Sequence, residues 1–279
     1  MNKPITSREY KLILDTNRFK DRQQGAKDFL ELFEYLVEEQ GEKFKKKERE
    51  KERQTYYLDT IGLNFYQQGF ILRVREEQTD NKIKMTLKYR HSDRYLSASK
   101  NLSSRSQEKN RQCKFEEDIL ASGSSKFSHS VSLKNPSSLK HPEKLWSPNE
   151  TETVKDVIDL FPEVQGDDDL KDLHKDTKIQ VVNGFKAHEI AHKLGHFSMS
   201  DTKIKAVLNF WYLPHEKGKF PLVVEFSFDY DLDPVPKGGQ LEQFPLEVVK
   251  KTQRLFEALK RQKGWVSEQA ITKTSYAYK

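Results

Sequence analysis

Several short segments alternate apolar and polar residues with period two, the pattern of a β-strand that buries one face. In Glu9 to Leu14, Glu9, Lys11 and Ile13 oppose Tyr10, Leu12 and Leu14, and in Phe70 to Arg75, Arg73 and Arg75 oppose Phe70, Leu72 and Val74. Ile83 to Arg90 sets Lys84, Thr86, Lys88 and Arg90 against Ile83, Met85, Leu87 and Tyr89, while Lys203 and Lys205 oppose Ile204, Ala206 and Leu208. Glu225, Ser227 and Asp229 oppose Val224, Phe226, Phe228 and Tyr230, and Lys114, Glu116 and Asp118 share one phase of a less regular segment. Each strand therefore offers one apolar and one charged face. On an ordinary half-buried sheet the charged faces meet water. Here carboxylates pair on some strands and basic residues on others, which points to an enclosed interior where the two signs meet.

Two segments carry apolar stripes at helical spacing: Ala26 to Glu39, with Phe29, Leu30, Phe33, Leu36 and Val37, and Leu246 to Gln262, with Val249, Leu255, Phe256 and Leu259. A shorter helix is predicted over Thr153 to Phe161, stopped by Pro162. Helices that coat the apolar faces leave the charged faces inward, and closing the sheet removes its edges. The expected fold is α+β: a closed antiparallel β barrel with a charged interior, flanked by helices. The run KFKKKEREKER at 43–53 reads as a solvated helix end or loop, and less readily as a basic patch for nucleic acid. The chain, 1–279, is expected to form a single domain with mobile insertions at 91–112 and 121–150, stretches rich in Ser, Lys and Asn.

Composition narrows the partners. Apolar residues make up 35% and charged residues 33% of the 279, so core material is thin, although 17 Phe, 11 Tyr and 3 Trp supply bulky packing units. A net charge of +6 favours an anion without choosing among nucleic acid, membrane surface and small polyanion. The single cysteine, Cys113, excludes an internal disulfide and fits a reducing compartment. MNKPITSREYK lacks the apolar core of a signal peptide, and no apolar run approaches the ~20 residues of a membrane span. A cytoplasmic protein with no membrane contact is expected.

The order of S-R-E-Y-K at 7–11, T-Y-Y-L-D-T at 55–60, L-N-F-Y-Q-Q-G-F-I-L-R-V-R ending at 75, K-M-T-L-K at 84–88, K-F-E-E-D at 114–118 and E-F-S-F-D at 225–229 resembles the CYTH, or triphosphate tunnel metalloenzyme, superfamily, including its thiamine-triphosphatase-like members. Lys273 and Tyr276 follow the last helix, as Lys and Tyr often do in that family. The resemblance implies an eight-stranded tunnel in which basic residues hold a triphosphate and carboxylates hold Mg²⁺ or Mn²⁺. By that resemblance Lys11, Arg73, Arg75, Lys84, Lys88, Lys114, Lys186 and Lys205 would bind substrate, and Glu9, Glu116, Asp118, Glu225 and Asp229 would hold metal. Glu9, Lys11 and Glu116 would take part in catalysis. Two positions depart from the family's pattern: Ser7 stands where the first glutamate of the opening motif is expected, and Ser227 where the second acid of the last strand is.

The chemistry agrees with that division. Residues two apart on a strand sit about 7 Å apart on one face, so a carboxylate pair can share a hydrated metal while opposing strands present ammonium and guanidinium groups. Arginine suits bidentate phosphate contacts and lysine acts as a point charge. A metal-dependent hydrolase of a triphosphate compound (inorganic triphosphate, thiamine triphosphate or a nucleoside triphosphate) is expected. The alternatives are a non-catalytic polyphosphate- or nucleotide-binding module and an adenylate cyclase. The partner is a small phosphate-rich anion; nucleic acid is not expected.

One competing motif remains. H-E-I-A-H at 188–192 matches the H-E-x-x-H of zinc proteases, in which His188 and His192 on one helix face would bind zinc, Glu189 would act as base, and Glu216 or Glu225 would complete the set. The strand-like surroundings favour a place in the barrel wall, from which Lys186 or His188 would reach the anion.

Overall fold

The computed structural model describes residues 4–79, 82–102, 110–135, 152–165, 167–214, 220–232, 246–268 and 272–279. Nine strands are present among them: β1 (Ser7–Leu14), β2 (Lys45–Thr60), β3 (Phe70–Glu77), β4 (Ile83–His91), β5 (Arg111–Leu120), β6 (Ser125–Lys134), β7 (Ile179–Met199), β8 (Thr202–Tyr212) and β9 (Val223–Asp231). They close in the order β1-β5-β6-β4-β3-β2-β7-β8-β9. β1 and β5 pair in parallel, with Ser7 opposite Glu116 and Glu9 opposite Asp118, and every other pair is antiparallel. The expectation of eight antiparallel strands is thus corrected to nine in a mixed barrel.

The ninth strand is β6, which lies within the expected insertion at 121–150. Its inner face is Ser128, Ser130 and Ser132 while Val131 and Leu133 pack outside, so neither charge nor bulk marks its polar phase. The run at 43–53 is likewise no loop: it forms the first half of β2.

Helices coat the barrel because the strands' apolar faces need cover. α1 (Arg22–Glu38) buries Ala26, Phe29, Leu30, Phe33, Leu36 and Val37, and Asp21 caps its start by accepting from the Gln24 N–H. With α5 (Leu246–Lys260) it covers β1, β7, β8 and β9, where Tyr10 stacks on Phe228 and Phe33 packs edge-on against Phe226, both with ring centres 4.8 Å apart. Each such fully buried side chain contributes about 1.5–3 kcal/mol. A second core lies behind β2, β3, β4 and β6, closed by α4 (Val154–Leu160), whose Thr153 and Asp156 form a capping box. Short helices α2 (Asn64–Gln67) and α3 (Arg94–Ser99) lie between strands. No helix among the described residues is long and apolar enough to cross a membrane.

The barrel's two ends differ. At one end Tyr57, Ile71, Ala187, Trp211 and Val223 form an apolar cluster with Ala277 of the last helix, α6 (Lys273–Ala277). Tyr278 stacks on Tyr66 and meets Tyr57 edge-on, and Asn183 donates to the Ala277 carbonyl. At the other end, charged side chains such as Lys205 and Asp231 are half exposed, at 46% and 56%.

Candidate functional site

The inward faces of all nine strands, most of them charged, enclose a cavity of about 450 Å³, the size of a small-ligand site. Its lining includes Glu9, Lys11, Arg73, Arg75, Lys84, Lys88, Lys114, Glu116, Glu225 and Asp229, all singled out in the sequence. Asp118 lies in the same interior with its side chain fully buried. Two expected residues lie elsewhere. Lys186 sits on the outer face with its ammonium over the Tyr56 ring, 5.5 Å from the centroid, because an irregularity in the β2–β7 ladder follows Asn183 and Gly184 and Lys186 is out of phase with Glu189. Lys205 stays at the rim, 2.7 Å from Asp231 and 4.0 Å from Asp229.

The cavity also holds Lys51, Arg53, Lys193 and Asn209, which the sequence reading passed over, and Arg90 and Lys273, which it placed on a charged face and after the last helix without giving them a role. Glu189, inside the protease-like motif, is fully buried and receives Arg53 at 2.9 and 3.0 Å, Thr55 Oγ1 at 2.5 Å, Arg75 at 3.5 Å and Lys273 at 3.8 Å. β7 is a strand, so His188 and His192 lie about 13 Å apart along it, at ~3.3 Å per residue, on the face opposite Glu189. Zinc ligands must each reach within about 2.3 Å of one ion, so the protease arrangement is absent. The alternating signal in 43–53 was available: Lys45, Lys47, Arg49, Lys51 and Arg53 share one phase, and Lys46, Glu48, Glu50 and Glu52 the other.

Two electrostatic regions share the interior. Around Asp118, Arg90 Nη2 lies at 2.6 Å, Lys11 Nζ at 2.8 Å, Ser128 Oγ at 3.3 Å and Lys88 Nζ at 3.5 Å. Burial favours the neutral acid, but Lys11, Lys88 and Arg90 outweigh it and hold the Asp118 carboxyl well below the usual range. Lys11, which also reaches Glu9 at 2.8 Å, is in turn held above its ordinary value by Asp118 and Glu9 despite burial. The opposite wall is different. Among the described residues neither Arg73 nor Lys84 has an ion-pair partner. Burial and then repulsion from Arg73, Arg75, Lys134 and Lys114 push Lys84 down to about 7, and burial with Arg53 and Arg73 pushes Arg75 down from its ordinary value. The buried Arg75 Nε has no hydrogen-bond acceptor.

Few of the interior acids suit a divalent cation. Asp118 and Glu225 do not fit, since three cations already hold Asp118 and Lys273 holds Glu225 at 2.7 Å. No group of three or more His, Cys, Asp or Glu among the described residues could hold a metal by itself. Asp229, with Lys205 no nearer than 4.0 Å, fits a partial site together with Glu9, whose cation Lys11 is shared with Asp118. Glu9 and Asp229 are register partners across β1 and β9, and burial followed by the Glu9 charge raises Asp229 to about 7. A carboxylate pair crowded in this way is relieved by a cation, and Mg²⁺ needs only one or two carboxylates when phosphate and water complete its shell.

No protein-family model matches this chain, and no curated protein does. Among solved structures, a protein from Hippeastrum described as an adenylyl cyclase with a dominant triphosphatase activity is 10% identical, with 97% of this chain and 94% of that one covered and a TM-score of 0.45. A protein from Bacillus halodurans described as an adenylate cyclase is 11% identical over 100% of both chains at 0.43, and one from Pyrococcus horikoshii is 10% identical over 91% and 89% at 0.37. At these scores the overlap carries no weight in assigning the site.

Proposed function

We propose that the barrel binds a triphosphate group and hydrolyses its terminal phosphoanhydride bond with the help of Mg²⁺ or Mn²⁺. The observation that supports this most directly is the wall of Arg73, Arg75 and Lys84: three cations enclosed together, with Arg75 and Lys84 held below their ordinary values and, among the described residues, no ion-pair partner for Arg73 or Lys84. A polyanion supplies that charge, guanidinium groups bind phosphate oxygens in pairs, and enclosure strengthens each contact. Glu9 and Asp229 would hold the metal, which when bound polarises phosphoryl oxygens and neutralises their charge. Lys88 and Lys11 stabilise the charge that develops on the phosphate. Glu116 accepts the proton of the attacking water as its oxygen bonds to the terminal phosphorus, and the bond to the bridging oxygen breaks in line.

Among the described residues the lining contains one aromatic, Tyr57, which gives a nucleobase little to stack on, so inorganic triphosphate is the first substrate to try. Phosphate release from inorganic, thiamine and nucleoside triphosphates with Mg²⁺ and Mn²⁺ tests the proposal. Activity lost in Arg73→Ala supports it; no release from any of them sinks the hydrolase.

A second reading, a non-catalytic polyphosphate- or nucleotide-binding module, draws on the pairing of Lys273 with Glu225, where a lysine occupies an acid the resemblance assigns to metal. Tight triphosphate binding without phosphate release under any metal would favour it.

A further inference from the structure

The strands β2, β7 and β8 are the longest in the barrel, at 16, 21 and 11 residues, and β2 pairs with β7 as far as Lys45 opposite His196. On β2 the even positions from Phe44 to Glu52 face outward: Phe44 packs with Phe33 and Phe197, Lys46 reaches Glu34 of α1, Glu48 accepts from His192 Nε2 at 2.8 Å, and Glu52 lies 3.6 Å from His188. The odd positions take the other face, and two of them, Lys51 and Arg53, line the cavity. Lys45, Lys47 and Arg49 continue that face away from the cavity, all exposed. Lys193 of β7 lines the cavity beside them, and Lys203 of β8 comes close enough, with Lys45 and Lys47, to lower the His196 pKa alongside burial. Among the described residues, Lys45, Lys47, Arg49, Lys193 and Lys203 have no acidic partner, whereas Lys46 on the reverse face does. Lys51 and Arg53 are matched by Glu77 and Glu189, so the cations without an acidic partner run from Lys45, Lys47 and Arg49 outside the cavity to Lys193 within it.

From this continuity we infer that the inner face of β2, β7 and β8 is a binding track for a linear phosphate polymer longer than the tunnel holds, which enters the cavity by its end. The inference rests on the triphosphate reading of the tunnel and specifies the substrate class. Lys45 to Arg53 span eight residue steps, about 26 Å at ~3.3 Å per residue, so the cations follow a chain well beyond a triphosphate. The direction is set by the barrel's ends: α6 and the apolar cluster occupy the far end, beyond Tyr57, while the track leads in from the exposed one. The track residues include no Phe, Tyr or Trp on which bases would stack, which favours a bare phosphate chain over single-stranded nucleic acid. Contacts made along the track act on a polymer already held by its end, so they multiply affinity rather than add a separate weak site.

Binding of inorganic triphosphate and of linear polyphosphates of increasing length, measured by calorimetry at low salt, tests this. The expected result is affinity that rises about tenfold or more from triphosphate to long chains and that falls steeply with added salt. The combined variant Lys47→Gln, Arg49→Gln, Lys203→Gln changes only exposed side chains, and its folding is checked by its melting curve. It should lose the gain with length while keeping triphosphate affinity within about twofold. Equal wild-type affinity for triphosphate and long chains would overturn the track and leave the tunnel proposal standing. Long chains bound tightly without any triphosphate binding would support the track and remove the tunnel proposal. A single-stranded RNA with a 5′-hydroxyl that binds more tightly than polyphosphate of equal charge would make the face a nucleic-acid surface and overturn the inference.

Discussion

The two charged regions of the interior hold similar residues and opposite electrostatic states. Around Asp118, three cations converge on one buried carboxylate, which they hold ionised; Lys11 and Arg90 are raised in return, while burial with Arg90 and Lys11 still leaves Lys88 lowered to about 8. On the wall of Arg73, Arg75 and Lys84 most neighbours are cations, and burial with that repulsion weakens the charged forms of Arg75 and Lys84. The first region is complete as the protein folds. The second holds unrelieved repulsion, which an anion removes. Folding stability and ligand affinity therefore draw on different residues only a few strands apart, and substitutions should separate them.

The largest effect should come from Asp118→Ala. It strands Lys11, Lys88 and Arg90 in a buried site, and removing one partner from a buried ion cluster costs about 3–5 kcal/mol. Chemical denaturation of the variant measures it; a loss below about 1 kcal/mol would mean that water enters and screens the cluster.

Arg73→Ala should behave in the opposite way. Free protein should be as stable as wild type or slightly more so, because one repelling charge is gone, while triphosphate affinity falls about 10- to 100-fold through loss of roughly 1.5–3 kcal/mol of charged hydrogen bonds. If the variant unfolds more readily and binds triphosphate normally, the contrast between the regions is wrong.

Much of this was legible in the sequence, and the reason is the strand period. Charged residues at alternate positions in β1, β3, β4 and β9 can point only one way once the apolar phase is buried, so Glu9, Arg73, Lys88 and Glu225 meet in one cavity. What was not legible depended on backbone irregularity or on weak contrast. Lys186 leaves the tunnel because it shares the phase of His188 and His192, opposite Glu189, and which of the two phases of β7 faces inward is set by its pairing with β2, beyond a break near Asn183 and Gly184. The same strand shows a second break at Gly195, where φ is +151° and an added Cβ would run into the Lys45 carbonyl. β6 escaped notice because serines face inward. Arg53 was hidden for the opposite reason, since in a run where nearly every residue is charged the alternation is of sign and not of polarity. The ninth strand and the parallel β1–β5 pair are matters of long-range pairing that local pattern does not encode.

Titration sharpens the comparison with a smaller effect. The ordinary lysine value is 10.5 and Lys84 is pushed to about 7, so between those values the unfolded chain carries a proton that the native wall lacks. Stability contributed by this group therefore rises with pH from about 7 towards 10.5. Lys84→Met should flatten that rise, seen as the difference between melting curves of the two proteins across the window. Asp229 has the reverse sign: raised from 3.8 to about 7, it binds a proton in the native state that the unfolded chain has released, and its contribution falls as pH climbs through that range. Triphosphate should restore the Lys84 charge, so binding takes up a proton above pH 7 and weakens as pH rises. Affinity unchanged between pH 6 and 9 would mean that Lys84 stays charged in the empty cavity.

The smallest effect is expected at His192, and its smallness is informative. His192 belongs to the H-E-x-x-H motif yet lies on the outer face of β7, 2.8 Å from Glu48 and 3.7 Å from Glu50, and buried but for 8% of its surface. Glu189, three residues earlier, points the other way into the cation wall. One motif therefore divides between an outer ion pair and the inner site, as it must on a strand where residues an odd number apart face opposite sides. His192→Ala removes a half-exposed pairing, worth about 0.5–1.5 kcal/mol, and leaves every cavity residue in place. Triphosphate binding should match wild type, and Zn²⁺ should not stabilise the wild type more than the variant. Glu189→Gln provides the internal comparison: it withdraws the charge that Arg53, Arg75 and Lys273 share, so it should alter triphosphate affinity although it lies in the same motif. A His192→Ala variant that loses triphosphate binding while Glu189→Gln keeps it would reverse the assignment of faces on β7, and with it the division of the interior into a completed and an uncompleted half.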